Sequence, residues 1–169
     1  ALALAVLAAA LWLGTRAPQR RQAGLSVLLV TVDTLRADAL GSYGRSGAST
    51  PWMDRLAAEG VRFSSAHAHN VTTLPSHANI LSGRLPTEHG VRDNSGFRFP
   101  AGAETLATLL KARGYRTGAF VSAFPLDSRF GLGRGFDVYE DAFVDAAARP
   151  MFLEQERPGA ETVRLARRF

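Results

Sequence analysis

The sequence predicts an α/β domain with a mostly parallel central sheet, and three observations carry that expectation. Leu25 to Val32 is a β-branched and leucine-rich run without polar alternation, the mark of a strand covered on both faces. Helical segments that open on proline and close on glycine come after it. Strand-like and helix-like segments then alternate along the chain. The 169 residues suffice for one domain with a core, and 46% hydrophobic with 21% charged residues is ordinary for a globular protein.

Each element follows from its own residues. Ala1 to Gly14 is apolar throughout and too short to span a bilayer unaided; it fits the hydrophobic region of a signal peptide or part of a membrane anchor. Residues 15–24 are polar, hold Arg16, Arg20 and Arg21, and read as a linker to a domain over 25–169. After the Leu25–Val32 strand, Thr50 and Pro51 open a helix that Gly60 ends. Val61 to Ser64 reads as a second strand. Pro75 to Ser82 reads as a short helix closed by Gly83 and Arg84. Glu104 to Arg113, with Leu106, Leu109 and Leu110 on one face and Gly114 as terminator, reads as a longer one. Tyr115 to Val121 completes the series as a strand. The chain lacks an initial methionine and stops at Phe169 inside helically spaced Val163, Leu165, Ala166 and Phe169, so more chain is expected to follow.

The formal net charge is +5, carried almost wholly by arginine, since Lys111 is the only lysine. The arginines are scattered and no basic stripe interleaves with aromatics, which argues against nucleic acid as partner. A positive balance suits an anionic substrate or a lipid surface, the latter through residues 1–14. With no cysteine, disulfides and thiolate metal sites are excluded.

Asp33 ends the first predicted strand. In open α/β sheets that edge receives ligands, and a carboxylate there can hold a divalent cation or, equally, cap the next turn. Thr73 lies two residues before Pro75. Backbone N–H groups at the start of a helix favour an anion, so Thr73 is a candidate nucleophile; simple N-capping by Thr72 or Thr73 is the plainer alternative. His77 is one turn after Thr73 on the same face and can bind the substrate anion or assist proton transfer. Arg84 would fix the site or brace the metal ligands. His89 and Asn94 follow closely enough to line the same cleft, with Asn94 able to donate to a substrate oxygen, although both also suit turns around Gly90 and Gly96. His67 and His69 fall on one strand face without an identified third ligand. The glycine cluster Gly131 to Gly135 lacks the spacing of a phosphate loop. Asn70-Val71-Thr72 matches a glycosylation triplet but abuts the proposed nucleophile, so it is expected to be unmodified.

These motifs resemble the amino-terminal part of the sulfatase family, in the alkaline phosphatase superfamily. The family pattern Cys/Ser-x-Pro-Ser-Arg, three residues, Leu-Thr-Gly-Arg appears here as Thr73-Leu74-Pro75-Ser76-His77, Ala78-Asn79-Ile80, Leu81-Ser82-Gly83-Arg84. Val27 to Asp38 resembles the family's metal-binding first strand and its turn. Thr50-Pro51 through Phe63 resembles the helix and strand between the two motifs, and the likeness runs from about Leu25 to Asp141. The resemblance implies an alkaline phosphatase-like sandwich, incomplete in this chain. It implies Asp33 as a metal ligand, Thr73 as nucleophile and metal ligand together, and Arg84 as support for the nucleophile pocket. Calcium, zinc, manganese and magnesium are all open as the divalent cation.

Three departures qualify it. Position 73 is threonine, which cannot become formylglycine. The family's paired aspartates are Asp33-Thr34 here, so one carboxylate is absent. The motif's arginine is His77. A formylglycine hydrate expels sulfate by collapsing to the aldehyde, whereas an ester on threonine has to be cleaved by water at sulfur or phosphorus. The reading is therefore a metal-dependent hydrolase of sulfate or phosphate/phosphonate esters, exported or membrane-anchored, in a bacterial periplasm or on a cell surface, acting on a small anionic ester. The chain by itself is expected to be inactive, since further metal ligands would lie beyond Phe169. The alternatives are a membrane-anchored phospho-headgroup transferase using the same threonine and a non-catalytic sulfatase-like binding domain.

Overall fold

A computed structural model describes residues 24–143 and 156–169. The expected signal or anchor segment at 1–14 and most of the linker lie outside them. The chain divides into two compact units, residues 1–35 and residues 36–169.

In the first unit the expected strand is not formed. Residues 25–32 carry no strand assignment. Leu28 is 87% exposed and Val30 69%. A parallel strand is stable only when neighbours pair its edges and its faces are covered. The single sheet among the described residues does not include this segment. Apolar composition announced a strand here, but composition cannot supply the cover.

In the second unit two short 3-10 turns, Ala37–Ala39 and Gly41–Tyr43, precede helix α1, Pro51–Glu59. Its boundaries follow the threonine, proline and glycine signals. The strand expected over Val61 to Ser64 is absent, and Val61 and Phe63 are 79% and 69% exposed. Helix α2 spans Thr73–Ser82, beginning two residues before its proline. Helix α3, Pro86–His89, was not foreseen. Helix α4 is shorter than expected, Leu106–Lys111. Thr105 and Thr108 cap its start reciprocally, each hydroxyl accepting the other residue's N–H. The helix buries Ala107, while Leu106 is 37% exposed, so the buried face is turned from the leucine face read in the sequence.

Strand β1, Gly118–Phe120, lies inside the expected Tyr115–Val121 run. It pairs in parallel with β2, Val138–Glu140, which was not foreseen, in the register Gly118 to Val138 and Phe120 to Glu140. The 3-10 turns Phe124–Leu126 and Ser128–Phe130 lie in the crossover that a parallel pair requires. Gly135 explains one member of the glycine cluster: at φ +90°, a Cβ there would lie 2.5 Å from the Thr108 nitrogen, so the loop can pack on α4 only without a side chain. The architecture is thus α/β with a partial parallel sheet.

The core of this unit is built on α2. Leu74 and Ala78 meet Val91, Phe99, Leu126 and Leu132. Helix α5, Gly159–Ala166, closes the described chain. Just before it, Arg157 is 3% exposed. Its guanidinium donates to the Val121, Glu140 and Ala142 carbonyls, the Glu140 carboxylate and the Thr162 hydroxyl. Both strands thus meet Arg157 at their carboxyl ends, and burial is tolerated because every donor direction finds oxygen.

Candidate active site

Helix α2 presents Thr73. Leu74, Ala78 and Leu81 recur at helical spacing and face the core, which leaves Thr73 and His77 on the adjoining, half-buried flank. Gly83, at φ +66°, ends the helix, and its N–H bonds to the Asn79 carbonyl at 2.8 Å.

The start of α2 is held from both sides. Thr72 occupies the N-cap with extended backbone, yet its side chain does not cap the helix. Its hydroxyl donates instead to Asn70 Oδ1 at 2.8 Å. The capping role passes to Asn94, whose Oδ1 accepts the Leu74 N–H at 2.8 Å from twenty residues along the chain. Asn94 is therefore tied to the residue after Thr73, with its side-chain oxygen engaged by the backbone. This also revises the expected row of open N–H donors. Leu74 N–H is taken, Pro75 has none, and Ser76 N–H bonds to the Thr72 carbonyl at 3.1 Å.

His77 Nδ1 lies 2.8 Å from the Thr73 carbonyl oxygen. A carbonyl can only accept, so Nδ1 carries the hydrogen and the ring is tied to the residue it was expected to assist. Arg84 stands at the other end of α2. Ten residues of helix rise about 15 Å, so Thr73 and Arg84 are not brought together by this element. Arg84 borders an open groove of about 330 Å³ with Leu81, Glu104 and Leu109, and Thr73 is not among the residues that line it.

His89 does not line a cleft. It is 3% exposed. Its Nε2 lies 2.6 Å from the Asn79 side-chain amide, and its Nδ1 accepts the Val91 N–H at 3.1 Å. Burial pushes its pKa below the ordinary value, so it is a neutral structural ring. His67 is paired with the Ser65 hydroxyl on the surface.

Asp33 belongs to the first unit and Thr73 to the second. Asp33 and Thr34 form a turn in which Asp33 Oδ1 accepts the Thr34 N–H at 2.9 Å. Thr34 has φ +55°, the one positive φ of a non-glycine residue among the described residues. For a β-branched side chain that conformation is strained, and such strain gathers at functional sites. Among the described residues no three His, Cys, Asp or Glu side chains converge on a common point.

Comparison with known proteins bears on this arrangement. The family model described as Sulfatase matches residues 26–158. Arylsulfatase A of Bos taurus is 39% identical over 98 residues, which cover 55% of this chain and 19% of that protein. The N-acetylglucosamine-6-O-sulfatase of Bacteroides thetaiotaomicron is 35% identical over 112 residues, 66% of this chain and 19% of that protein. Among solved structures, one determined with its substrate D-glucosamine-2-N,6-O-disulfate aligns with TM-score 0.57 and 36% identity, over 63% of this chain and 21% of that one. The phosphonate monoester hydrolase of Agrobacterium radiobacter aligns with TM-score 0.58 and 24% identity, over 67% and 25%, and shares the fold. The chain spans about a fifth of the length of these curated relatives.

Proposed function

The chain belongs to the sulfatase family, and on that premise we propose that its protein hydrolyses a small anionic ester, sulfate or phosphate/phosphonate, with Thr73 as nucleophile. The observation that supports this most is the setting of Thr73: the position that resembles the family's nucleophile is the first residue of α2, half-buried on a helix whose adjoining flank is locked in the core. With the Leu74 and Ser76 N–H groups already bonded, the helix start would favour a negative charge there through its dipole rather than through these two donors.

The threonine oxygen attacks sulfur or phosphorus, and the ester alcohol departs. Water then cleaves the threonine ester at the same atom, returning a proton to the threonine oxygen and releasing sulfate, a phosphate or a phosphonate according to the ester. Asp33 and Thr73 are the residues of this chain that would contribute to a divalent cation, which when bound neutralises ester charge and acidifies a hydroxyl. His77 would face the ester from the same flank of α2, and Asn94 would offer its amide nitrogen. Arg84, at the far end of the helix, would act only by bracing it. Phosphorus chemistry is favoured over sulfate because threonine cannot expel its group by collapse to an aldehyde. Export or membrane anchoring through residues 1–14 stays part of the reading. Among the described residues no helix is long and apolar enough to cross a membrane.

The test is a screen of the full-length protein on an aryl sulfate, a phosphate diester and a phosphonate monoester, with Thr73→Ala and Asp33→Ala alongside. Each substitution is expected to lower turnover by about three orders of magnitude or more with the fold intact. Undiminished turnover in Thr73→Ala would refute the nucleophile assignment.

A further inference from the structure

Thr72 and Thr73 are adjacent hydroxyl residues, and the structure separates them. Asn70 Oδ1 accepts three bonds, from the Val71 N–H at 2.8 Å, the Thr72 N–H at 3.1 Å and the Thr72 hydroxyl at 2.8 Å. The hydroxyl hydrogen of Thr72 is thereby directed back towards Asn70. On the other side of Thr73, Asn94 fixes the Leu74 N–H. The residues before and after Thr73 are each held by a carboxamide oxygen. Packing does not do this work on the Asn70 side, because Val71 is 97% exposed. Polar bonds to Asn70 define how the chain enters α2.

We propose that Asn70 is a positioning residue that orders Thr72 so that Thr73 is the hydroxyl presented to the ester. The inference rests on the reading of Thr73 as nucleophile given above. It also gives the Asn70-Val71-Thr72 triplet a function inside the protein, with its carboxamide oxygen occupied by the chain. A loosened entry to α2 would leave two threonine hydroxyls competing for one position. Small displacements of a nucleophile are costly, because attack requires close approach along a narrow direction.

The experiment uses the full-length protein with bis(para-nitrophenyl) phosphate and para-nitrophenyl sulfate as probes. Asn70→Ala is expected to lower kcat about ten- to a hundredfold while KM stays within about twofold. Asn70→Asp keeps an oxygen acceptor in place, so kcat recovers to within about threefold of wild type, whereas KM rises because the added charge opposes an anionic ester. Peptide mapping of trapped covalent adduct places it on Thr73 in the wild type, with a share moved to Thr72 in Asn70→Ala. Thermal unfolding is followed for each variant. If Asn70→Ala does not fold, Asn70→Asp and Thr72→Val carry the test, the latter lowering kcat about threefold because only one of the three bonds is lost. The proposal is overturned if Asn70→Ala turns over within about twofold of wild type, or if Asn70→Asp is as slow as Asn70→Ala. If instead Thr73→Ala is fully active, the nucleophile reading itself has failed, and the role given to Asn70 goes with it.

Discussion

Helix α1 follows a threonine, opens on proline and stops at a glycine; helix α2 follows a threonine, carries proline in its first turn and stops at a glycine. Yet α1 buries no residue, while α2 buries Leu74, Pro75 and Ala78. Trp52 and Leu56 on α1 are 74% and 71% exposed. The local signals close the backbone bonds of both helices, but they do not decide what a helix packs against. The anchors differ in kind as well. Helix α1 is tied to the Gly41–Tyr43 turn by polar bonds: Asp54 Oδ1 accepts the Ser42 N–H at 2.6 Å, and Thr50 Oγ1 accepts the Gly41 N–H at 3.0 Å while donating to Asp54 Oδ2 at 3.0 Å. Helix α2 has polar bonds at its start as well, but adds to them apolar contact along one whole face. The proposed nucleophile sits on the helix held in this second way, where its position tolerates less movement.

The strongest way to break the comparison is to empty the α2 interface. Leu74 is fully buried among Val91, Phe99, Leu126 and Leu132. Leu74→Ala is expected to destabilise the protein by about 2–5 kcal/mol, measured by urea unfolding. Because Leu74 also follows Thr73, the same variant is expected to lose turnover at temperatures where it is still folded. A loss below about 1 kcal/mol would mean that α2 is not the centre of the core.

A smaller effect separates the two regions by pH. Close to α2 lies His89, buried, with a pKa held below the ordinary 6.5 by desolvation. Above that value the ring is neutral both folded and unfolded. As pH falls below it, the unfolded chain takes up a proton that the folded chain refuses. The unfolded state then binds more protons, so stability declines with falling pH in that window. Unfolding free energies at about pH 7.5 and about pH 5.5 should converge in His89→Gln relative to wild type. An unchanged pH slope in that variant would assign the acid sensitivity to other groups.

What was legible in the sequence follows the same division. Proline and glycine signals placed α1 and α2 nearly to the residue, because those residues act on their own backbone. Asn94 was read as close enough in sequence to line the cleft of Thr73, but its bond to the Leu74 N–H twenty residues away left no signal. The strands at Leu25 to Val32 and Val61 to Ser64 were not formed, because a strand is completed by its neighbours. Arg157 left no signal at all, as its five donors are satisfied by groups distributed over forty residues of chain. Asn70 was visible only as a glycosylation triplet. Its bonds to Val71 and Thr72 are local enough that an Asx turn ahead of the helix was there to be read. The separation of Arg84 from Thr73 is likewise simple helix geometry, and the motif's compactness in sequence obscured it.

The smallest expected effect sharpens the comparison most. Leu56 is 71% exposed on α1, so Leu56→Ala should change stability by less than about 0.5 kcal/mol in a protein comprising only these 169 residues. Alanine is also the better helix former, which offsets part of what little contact is lost. The same substitution in a longer protein has two outcomes with distinct meanings. A cost still below about 0.5 kcal/mol leaves α1 a surface helix fixed by Asp54 and Thr50 alone. A cost of about 2–5 kcal/mol, the range for a buried leucine, would show that its apolar face is covered there. In that case the two helices would be equivalent after all, and the difference between them would belong to the neighbours available to each rather than to their own residues.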